Sequence, residues 1–133
     1  MQAQPRTVLI VDDDALVSTG TAAMLEDMGH VVMEAHSGEQ ALSVLRSDRR
    51  IDLVITDQAM PGMTGSELAR RIQTDFPNLP VVLATGYAEF PEADDQRLTL
   101  PRLMKPYRQQ DLVSLMATVA APPHKNVIPL RSG

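Results

Sequence analysis

The feature that most constrains the fold is a series of short apolar runs that alternate with longer helical patterns. Most of the runs are continuous in apolar character, which is typical of strands covered by helices on both faces. The runs occupy residues 8–11, 31–33, 53–55, 81–84 and 103–104. This alternation predicts an α/β fold in which a parallel five-stranded sheet carries helices on both faces.

The first helical pattern repeats at i, i+3, i+4 and i+7 and ends at Gly29, a residue expected at a helix C-terminus. Glycine inside a helix costs about 1 kcal/mol relative to alanine. We therefore expect closely packed backbone at the glycine of this face. The predicted face comprises Val17, Gly20, Thr21, Met24, Leu25 and Met28.

Capping signals mark the start of two further helices, because Ser37 and Gln40, and again Thr64 and Glu67, have the spacing of a capping box. Segment 88–100 contains Pro91 and an acidic run, which predicts a short helix. The apolar faces of the second, third and last helices are predicted to carry Ala41, Leu42 and Leu45, then Leu68 and Ile72, then Leu112, Leu115, Met116 and Val119.

Length and composition limit the possible classes of function. The 133 residues predict one domain over 7–121, with tails at 1–6 and 122–133, the second of which could be a truncated linker. The net charge of −5 argues against direct nucleic-acid binding, and the absence of Cys excludes disulfides and thiolate chemistry. Neither a membrane-spanning run nor a signal peptide is evident, so we expect a cytoplasmic location.

Polar residues follow the predicted strands at their carboxyl ends. Asp12 and Asp13 come directly after the first apolar run and Asp57 after the third, while Thr85 and Lys105 end the fourth and fifth strands. Open α/β sheets bind ligands at this edge. We therefore expect these five side chains to form one site.

The residue types at this edge indicate phosphoryl chemistry. Crowded carboxylates repel one another unless a cation intervenes, and Mg²⁺ prefers such oxygen ligands. Lys105 and the Thr85 hydroxyl would neutralise a phosphoryl group. A carboxylate must then be the nucleophile, because the chain has no Cys and no Ser or His shares the cluster. We favour Asp57, since a tight turn follows it, and the Ala59 carbonyl could complete the metal shell.

Four motifs at this spacing resemble the receiver domains of two-component response regulators. They are VLIVDD at 8–13, DLVITDQAMPGMTG at 52–65, VVLATG at 81–86 and KPY at 105–107. The resemblance extends over about residues 7–120 and implies a flavodoxin-like doubly wound sheet with strand order 2-1-3-4-5.

The resemblance also implies residue roles. Asp57 is similar to the family's phosphoacceptor, Asp13 to a direct Mg²⁺ ligand and Asp12 to a ligand that acts largely through water. The Ala59 carbonyl completes the protein's share of the metal shell. Thr85 and Lys105 match the residues that contact the phosphoryl oxygens.

In this family a histidine kinase or a histidine phosphotransfer protein donates the group from phosphohistidine. The resemblance thus implies a signalling phosphoacceptor that is not an enzyme, beyond at most a slow Mg²⁺-dependent autophosphatase activity. Its output goes to a protein partner, and we expect a monomer or weak dimer without membrane contact. A stand-alone protein and a fragment of a hybrid histidine kinase or larger regulator remain alternatives.

Two positions depart from the family pattern. Arg102 stands three residues before Lys105, where the family usually has an aromatic switch residue, so this chain lacks the ring through which the family usually couples phosphorylation to its response. Tyr87 follows Thr85 by two residues, and we hypothesise that its ring shields the acyl phosphate opposite Ala59.

Two other functions compete with this interpretation. A phosphohydrolase of the haloacid dehalogenase type would use Asp12 and Asp14, but Leu16 replaces its expected Thr or Val and only the single Asp111 follows Lys105. That hypothesis also leaves Asp57 unexplained. The other alternative is a degenerate receiver that acts only as an interaction module.

Overall fold

A computed structural model describes residues 5–47, 50–86 and 100–119 of the chain. These residues form five strands at the five predicted apolar runs, with a helix between each of the first four strands and one helix after the fifth strand. The elements are β1 (Thr7–Val11), α1 (Ala15–Asp27), β2 (Val31–Ala35), α2 (Gly38–Arg46), β3 (Leu53–Asp57), α3 (Gly65–Asp75), β4 (Val81–Thr85), β5 (Arg102–Met104) and α4 (Gln109–Thr118). Apart from Leu100, the helix predicted over 88–100 lies outside the described residues, as do 1–4 and 120–133.

The five strands form one parallel sheet in the order β2-β1-β3-β4-β5, which confirms the predicted topology. Every residue of the central strand β3 is buried, and so is every residue of β4. Because parallel strands all end at one edge, the carboxyl ends of β1, β3, β4 and β5 lie side by side. The sheet therefore places the predicted site residues at a common edge.

Alternate residues of the strands pack in two separate apolar layers, because successive side chains point to opposite faces of a sheet. Leu9 of β1 packs in one layer with Leu42 of α2 and Ile72 of α3. Its neighbour Ile10 packs in the other layer with Leu112 of α4. Helices thus cover both faces of the sheet, which explains why the central strands are apolar without alternation.

The predicted starts of α2 and α3 and the predicted apolar faces of α2, α3 and α4 are confirmed, but of the two predicted capping boxes only the one at α3 forms. Thr64 and Glu67 form the expected capping box at α3. At α2, Ser37 accepts from the Gln40 N–H, but the Gln40 side chain binds the N–H of His36 rather than that of Ser37. The predicted core residues of the three helices are all buried.

The C-terminus of α1 is closed by Gly29, as predicted. The Gly29 N–H donates to the Glu26 carbonyl at 2.9 Å and the His30 N–H to the Leu25 carbonyl at 3.1 Å. This is the Schellman arrangement, which requires the left-handed backbone that Gly29 adopts at a φ of 98°. The chain can then turn directly into β2.

The predicted face of α1 is partly wrong. Thr21 and Leu25 are buried, but Val17 and Gly20 are exposed, and a Cβ atom on Gly20 would meet nothing within 4 Å. The expected close packing at Gly20 is therefore absent. The buried face of α1 instead includes Ser18. Burial of this serine is possible because its hydroxyl donates a hydrogen bond to Glu34 at 2.7 Å and so is not left unsatisfied.

Replacing Gly20 with Ala should stabilise the domain. The exposed site accepts a methyl group without a clash, and alanine raises the free energy of unfolding by about 1 kcal/mol at a helix interior. Thermal unfolding should show a midpoint a few degrees higher. Gly29→Ala is the control and should lower the midpoint, because its positive φ disfavours a side chain. A destabilised Gly20→Ala variant would contradict this assignment of the helix face.

His30 should make stability depend on pH. Burial lowers the pKa of the His30 imidazole below its ordinary value of 6.5, and the charge of Arg6 lowers it further. The Arg6 N–H donates to His30 Nδ1 at 3.1 Å, so the neutral ring is the form that fits. Because the folded pKa lies below the unfolded pKa, the stabilisation is complete above pH 6.5 and is lost as the pH falls through the lower folded value.

Urea unfolding at pH 7.5 and pH 5.5 measures this loss. A His30→Asn variant keeps an acceptor for the Arg6 N–H but cannot take up a proton in this range. Its free energy of unfolding should fall less than that of the wild type between the two pH values. Equal losses in the two proteins would exclude His30 as the source.

Candidate functional site

The central strand β3 delivers Asp57 to the carboxyl edge of the sheet. Asp57 is the last residue of this fully buried strand, and only 5% of its own surface is exposed. A carboxylate this deeply buried needs a charged partner. Lys105 supplies it, because its Nζ atom lies 2.5 Å from Asp57 Oδ1.

The carboxyl end of β1 supplies two more carboxylates. Asp12 is buried and extends the sheet by one hydrogen bond, since its N–H donates to the Ala35 carbonyl at 3.0 Å. Its Oδ1 atom accepts from the Asp14 N–H at 2.9 Å, whereas Asp13 is exposed. One carboxylate oxygen from each of Asp12, Asp13 and Asp57 lies within 4.8 Å of the others.

This grouping is electrostatically unfavourable for Asp12. Burial raises the pKa of the Asp12 carboxyl above its ordinary value, and the charges of Asp13 and Asp14 add to the increase. The Asp14 N–H and the charge of Lys105 oppose it without cancelling it. The folded chain therefore holds the ionised Asp12 in a place that favours its neutral form.

The oxygen atoms of this cluster suit a small, hard divalent cation. Octahedral Mg²⁺ has oxygen ligands at about 2.0–2.1 Å, which places neighbouring oxygens about 3 Å apart and opposite oxygens about 4.2 Å apart. The three carboxylate oxygens lie within 4.8 Å of one another. Asp12, Asp13 and Asp57 are thus close enough together to serve as ligands of one such cation.

Lys105 is held by the residues around it. Its N–H donates to the Thr85 carbonyl at 2.9 Å, and the following bond to Pro106 is cis. Two residues later, the Tyr107 hydroxyl lies 2.6 Å from the hydroxyl of the buried Thr21 on α1. Burial raises the pKa of the Tyr107 phenol, so this group stays neutral. These contacts fix the chain on both sides of Lys105.

The other two predicted site residues, Thr85 and Ala59, follow the same edge of the sheet, but neither belongs to the cluster of carboxylates and lysine. Thr85 ends β4 and is fully buried, and its hydroxyl donates to the Met104 sulfur at 3.5 Å. Ala59 follows Asp57 by two residues and is exposed. The structure thus brings together the side chains of Asp12, Asp13, Asp57 and Lys105. The roles of all six predicted site residues, including Thr85 and Ala59, stay predictions.

Asp14 lies beside the cluster but caps α1. Its Oδ1 atom accepts from the Leu16 N–H at 3.0 Å and from the Val17 N–H at 3.4 Å. An exposed N-cap is the ordinary role of an aspartate at this position. The phosphohydrolase alternative needs Asp14 as a reacting group, and this capping geometry gives it no support.

Sequence reasoning missed a polar contact next to Asp57. Gln58 Oε1 accepts from the Ser66 N–H at 2.9 Å and from the Ser66 hydroxyl at 2.8 Å. The available signal was a serine in the first turn of α3, a position where small hydroxyl side chains often form hydrogen bonds with neighbouring groups. Its partner could not be identified without the path of the intervening turn.

The response regulator receiver domain family matches residues 8–117. The chain belongs to this family. A relative among curated proteins, the phosphate regulon transcriptional regulatory protein PhoB of Pseudomonas aeruginosa, is 33% identical over 124 residues, which cover 86% of this chain and 51% of that protein. The sensor kinase CckA of Brucella abortus is 36% identical over 84 residues, which cover 62% of this chain and 9% of that protein.

A solved structure with the same fold is the response regulator receiver domain protein from Clostridium thermocellum. Its TM-score is 0.80 at 26% identity, and the match covers 92% of this chain and 98% of that one. The receiver domain spans about half or less of the curated relatives named above. Within 5–47, 50–86 and 100–119, none of the helices is both long and apolar enough to cross a bilayer.

The departures from the family pattern have different outcomes. Arg102 is exposed at the start of β5, so the position of the usual aromatic switch carries a solvated charge in this receiver domain. Tyr87 lies outside the described residues, and its shielding role remains a hypothesis.

Neutralising Asp12 should stabilise the metal-free domain. Asn keeps the oxygen that accepts from the Asp14 N–H but removes a charge that burial and two neighbouring aspartates disfavour. We expect Asp12→Asn to raise the free energy of unfolding by about 1 kcal/mol in the presence of a chelator. Single stabilising substitutions commonly give gains of this size. Urea unfolding with EDTA measures this gain.

The control separates a local effect from general relief of net negative charge. Glu39→Gln removes an exposed charge from the first turn of α2, where a negative charge favours the helix. This variant should be no more stable than the wild type. A similar gain in both variants would contradict the proposed crowding at Asp12.

Proposed function

We propose that this receiver domain accepts a phosphoryl group on Asp57 with Mg²⁺ bound beside it, and then signals to a protein partner. The observation that carries the proposal is the meeting of one buried carboxylate with two others and a lysine at the carboxyl edge of the sheet. This set combines a nucleophile, oxygen ligands for a hard cation and a positive charge.

The proposed transfer forms an acyl phosphate. A carboxylate oxygen of Asp57 attacks the phosphorus of a phosphohistidine, the phosphorus–nitrogen bond breaks, and the leaving imidazole nitrogen keeps the electron pair and takes up a proton from solvent. Asp12, Asp13, Asp57 and the Ala59 carbonyl would hold Mg²⁺. The bound cation supplies charge neutralisation for the phosphoryl oxygens and the carboxylates.

Lys105 prepares the site for the negative charge that arrives. Its ammonium group already contacts Asp57 Oδ1, so a positive charge lies beside the position that a phosphoryl group on Asp57 would take. Only 26% of its side-chain surface is exposed, which limits screening by water. In the proposed phosphorylated state, the same ammonium donates to a phosphoryl oxygen.

Thr85 would join the site after transfer. Its hydroxyl donates to a thioether sulfur, which is a weak acceptor. A phosphoryl oxygen is a much stronger acceptor. We propose that the hydroxyl exchanges the Met104 sulfur for a phosphoryl oxygen when Asp57 is modified, and that this exchange begins the response.

The proposed donor is a histidine kinase or a histidine phosphotransfer protein, and the proposed output partner is a protein. The proposed domain is a monomer or weak dimer, and its only turnover is slow Mg²⁺-dependent loss of its own phosphoryl group. The net charge of −5 favours protein over direct nucleic-acid contact, and the lack of Cys suits the proposed cytoplasmic location. PhoB and CckA are named as a regulator and a kinase, so either setting suits this domain.

Labelling by acetyl phosphate tests the proposal. With Mg²⁺ present, the wild type should gain about 80 Da, the mass of one phosphoryl group. Asp57→Asn should gain nothing, because the amide cannot attack, and Asp12→Asn should be labelled more slowly. Asp14→Asn is a matched control that should be labelled normally, because asparagine caps helices as well as aspartate does.

Intact-protein mass spectrometry measures the covalent label in each variant, and calorimetry measures beryllofluoride binding in the presence of Mg²⁺. Labelling that survives in Asp57→Asn but is lost in Asp12→Asn would favour the phosphohydrolase alternative. A wild type that neither takes up label nor binds beryllofluoride with Mg²⁺ would favour the degenerate interaction module. Either result would overturn the proposed function.

A further inference from the structure

We propose that Gln58 is a positioning residue that, together with Ser66, sets the Mg²⁺ affinity of the site. The inference rests on the proposed function, because it concerns the same metal. Gln58 lies between Asp57, the proposed acceptor, and Ala59, whose carbonyl is a proposed ligand. Its hydrogen bonds hold the chain that joins these two groups.

Gln58 forms hydrogen bonds to β4 through its backbone and to α3 through both its backbone and its side chain. Its N–H donates to the Ala84 carbonyl of β4 at 3.0 Å, and its carbonyl accepts from the Gly65 N–H at 3.0 Å. Its side-chain oxygen accepts from the N–H and the hydroxyl of Ser66. Ser66 is 2% exposed, so these two bonds are formed at a position that water barely reaches.

The start of α3 lies directly against this part of the chain. A Cβ atom on Gly65 would collide with the Asp57 carbonyl oxygen and would lie 2.9 Å from the Gln58 Cα atom. Such close approach of a helix to a strand end requires glycine. Because the contact is this tight, the position of α3 and that of the Asp57–Gln58 peptide are coupled.

Ala59 is held between two anchors. On one side the Gln58 side chain is bonded to Ser66, and on the other the Met60 side chain is 7% exposed and packs in the apolar layer with α3. Ala59 itself is exposed and has only a methyl group with which to fix its own position. The orientation of its carbonyl therefore depends on Gln58 and Met60.

Magnesium is sensitive to such an anchor. It requires nearly ideal octahedral geometry at about 2.0–2.1 Å, so small displacements of one ligand weaken binding. Partners that orient metal ligands typically change metal affinity by about 10–100-fold when they are removed. Loss of the Gln58 side-chain oxygen should therefore raise the Mg²⁺ dissociation constant without removing any ligand.

The experiment compares Mg²⁺ binding by calorimetry in four proteins besides the wild type. Gln58→Met keeps the length of the side chain and removes its acceptor, and Ser66→Ala removes the hydroxyl donor alone. The double variant combines the two changes. Gln73→Met is the matched control, because it makes the same replacement at an exposed position of α3.

We expect Gln58→Met to raise the Mg²⁺ dissociation constant about tenfold and Ser66→Ala to raise it less. The double variant should bind no more weakly than Gln58→Met, since both changes break the same contact. Gln73→Met should bind like the wild type. A merely structural role would lower thermal stability and leave the affinity of the folded protein unchanged, so melting curves are recorded for each variant.

An unchanged affinity in Gln58→Met, additive effects in the double variant, or equal weakening in Gln73→Met would overturn the inference. If Gln58→Met does not fold, Ser66→Ala alone decides, and its affinity must fall. These failures differ from failure of the proposed function. In that case the wild type itself would not bind Mg²⁺ or would not be labelled on Asp57.

Discussion

The contact between Lys105 and Asp57 is the interaction on which the site depends. A carboxylate that is 5% exposed, with two further carboxylates nearby, is stable in its ionised form only beside a positive charge. The lysine comes from the residue after β5 and the aspartate from the end of β3, so the ion pair also ties the edge strand to the centre of the sheet. The burial of Asp57 is possible because two apolar layers already fix the strand that carries it.

The fold and the edge on which the site lies could be predicted from the sequence for a simple reason. Strands covered on both faces have a continuous apolar pattern, and polar residues directly after them must emerge at one edge. Asp12, Asp57 and Lys105 all follow such runs, so their meeting required only a parallel sheet. The starts and apolar faces of α2 and α3 were predictable because N-cap residues and helical periodicity are local features of the sequence.

What could not be predicted depends on contacts between distant polar groups. Ser18 is buried in α1 because Glu34 accepts from its hydroxyl, and no periodicity of apolar residues contains that information. The direction of the Thr85 hydroxyl toward Met104 depends on the register between β4 and β5. The Gln58–Ser66 contact likewise depends on how the turn over 59–64 returns the chain to the sheet. Each of these features is a hydrogen bond whose donor and acceptor come from different elements of the chain, so no local pattern predicts it.

The hydrogen bonds of the polar groups differ in strength between the two sides of the site, and this difference suggests how binding and response are divided in the proposed function. On the side of β1 and α3, Asp12 continues the sheet ladder, and Gln58 is bonded to both β4 and α3. On the side of β5, the Thr85 carbonyl accepts from the Lys105 N–H, but the Thr85 hydroxyl donates to a sulfur acceptor, and the exposed Arg102 replaces the usual aromatic ring. A weak acceptor is the easier one to give up when a stronger acceptor appears. In the proposed function, the side with the stronger hydrogen bonds would hold the metal and the acceptor in place, and the proposed response would begin at the Thr85 hydroxyl and the Met104 sulfur.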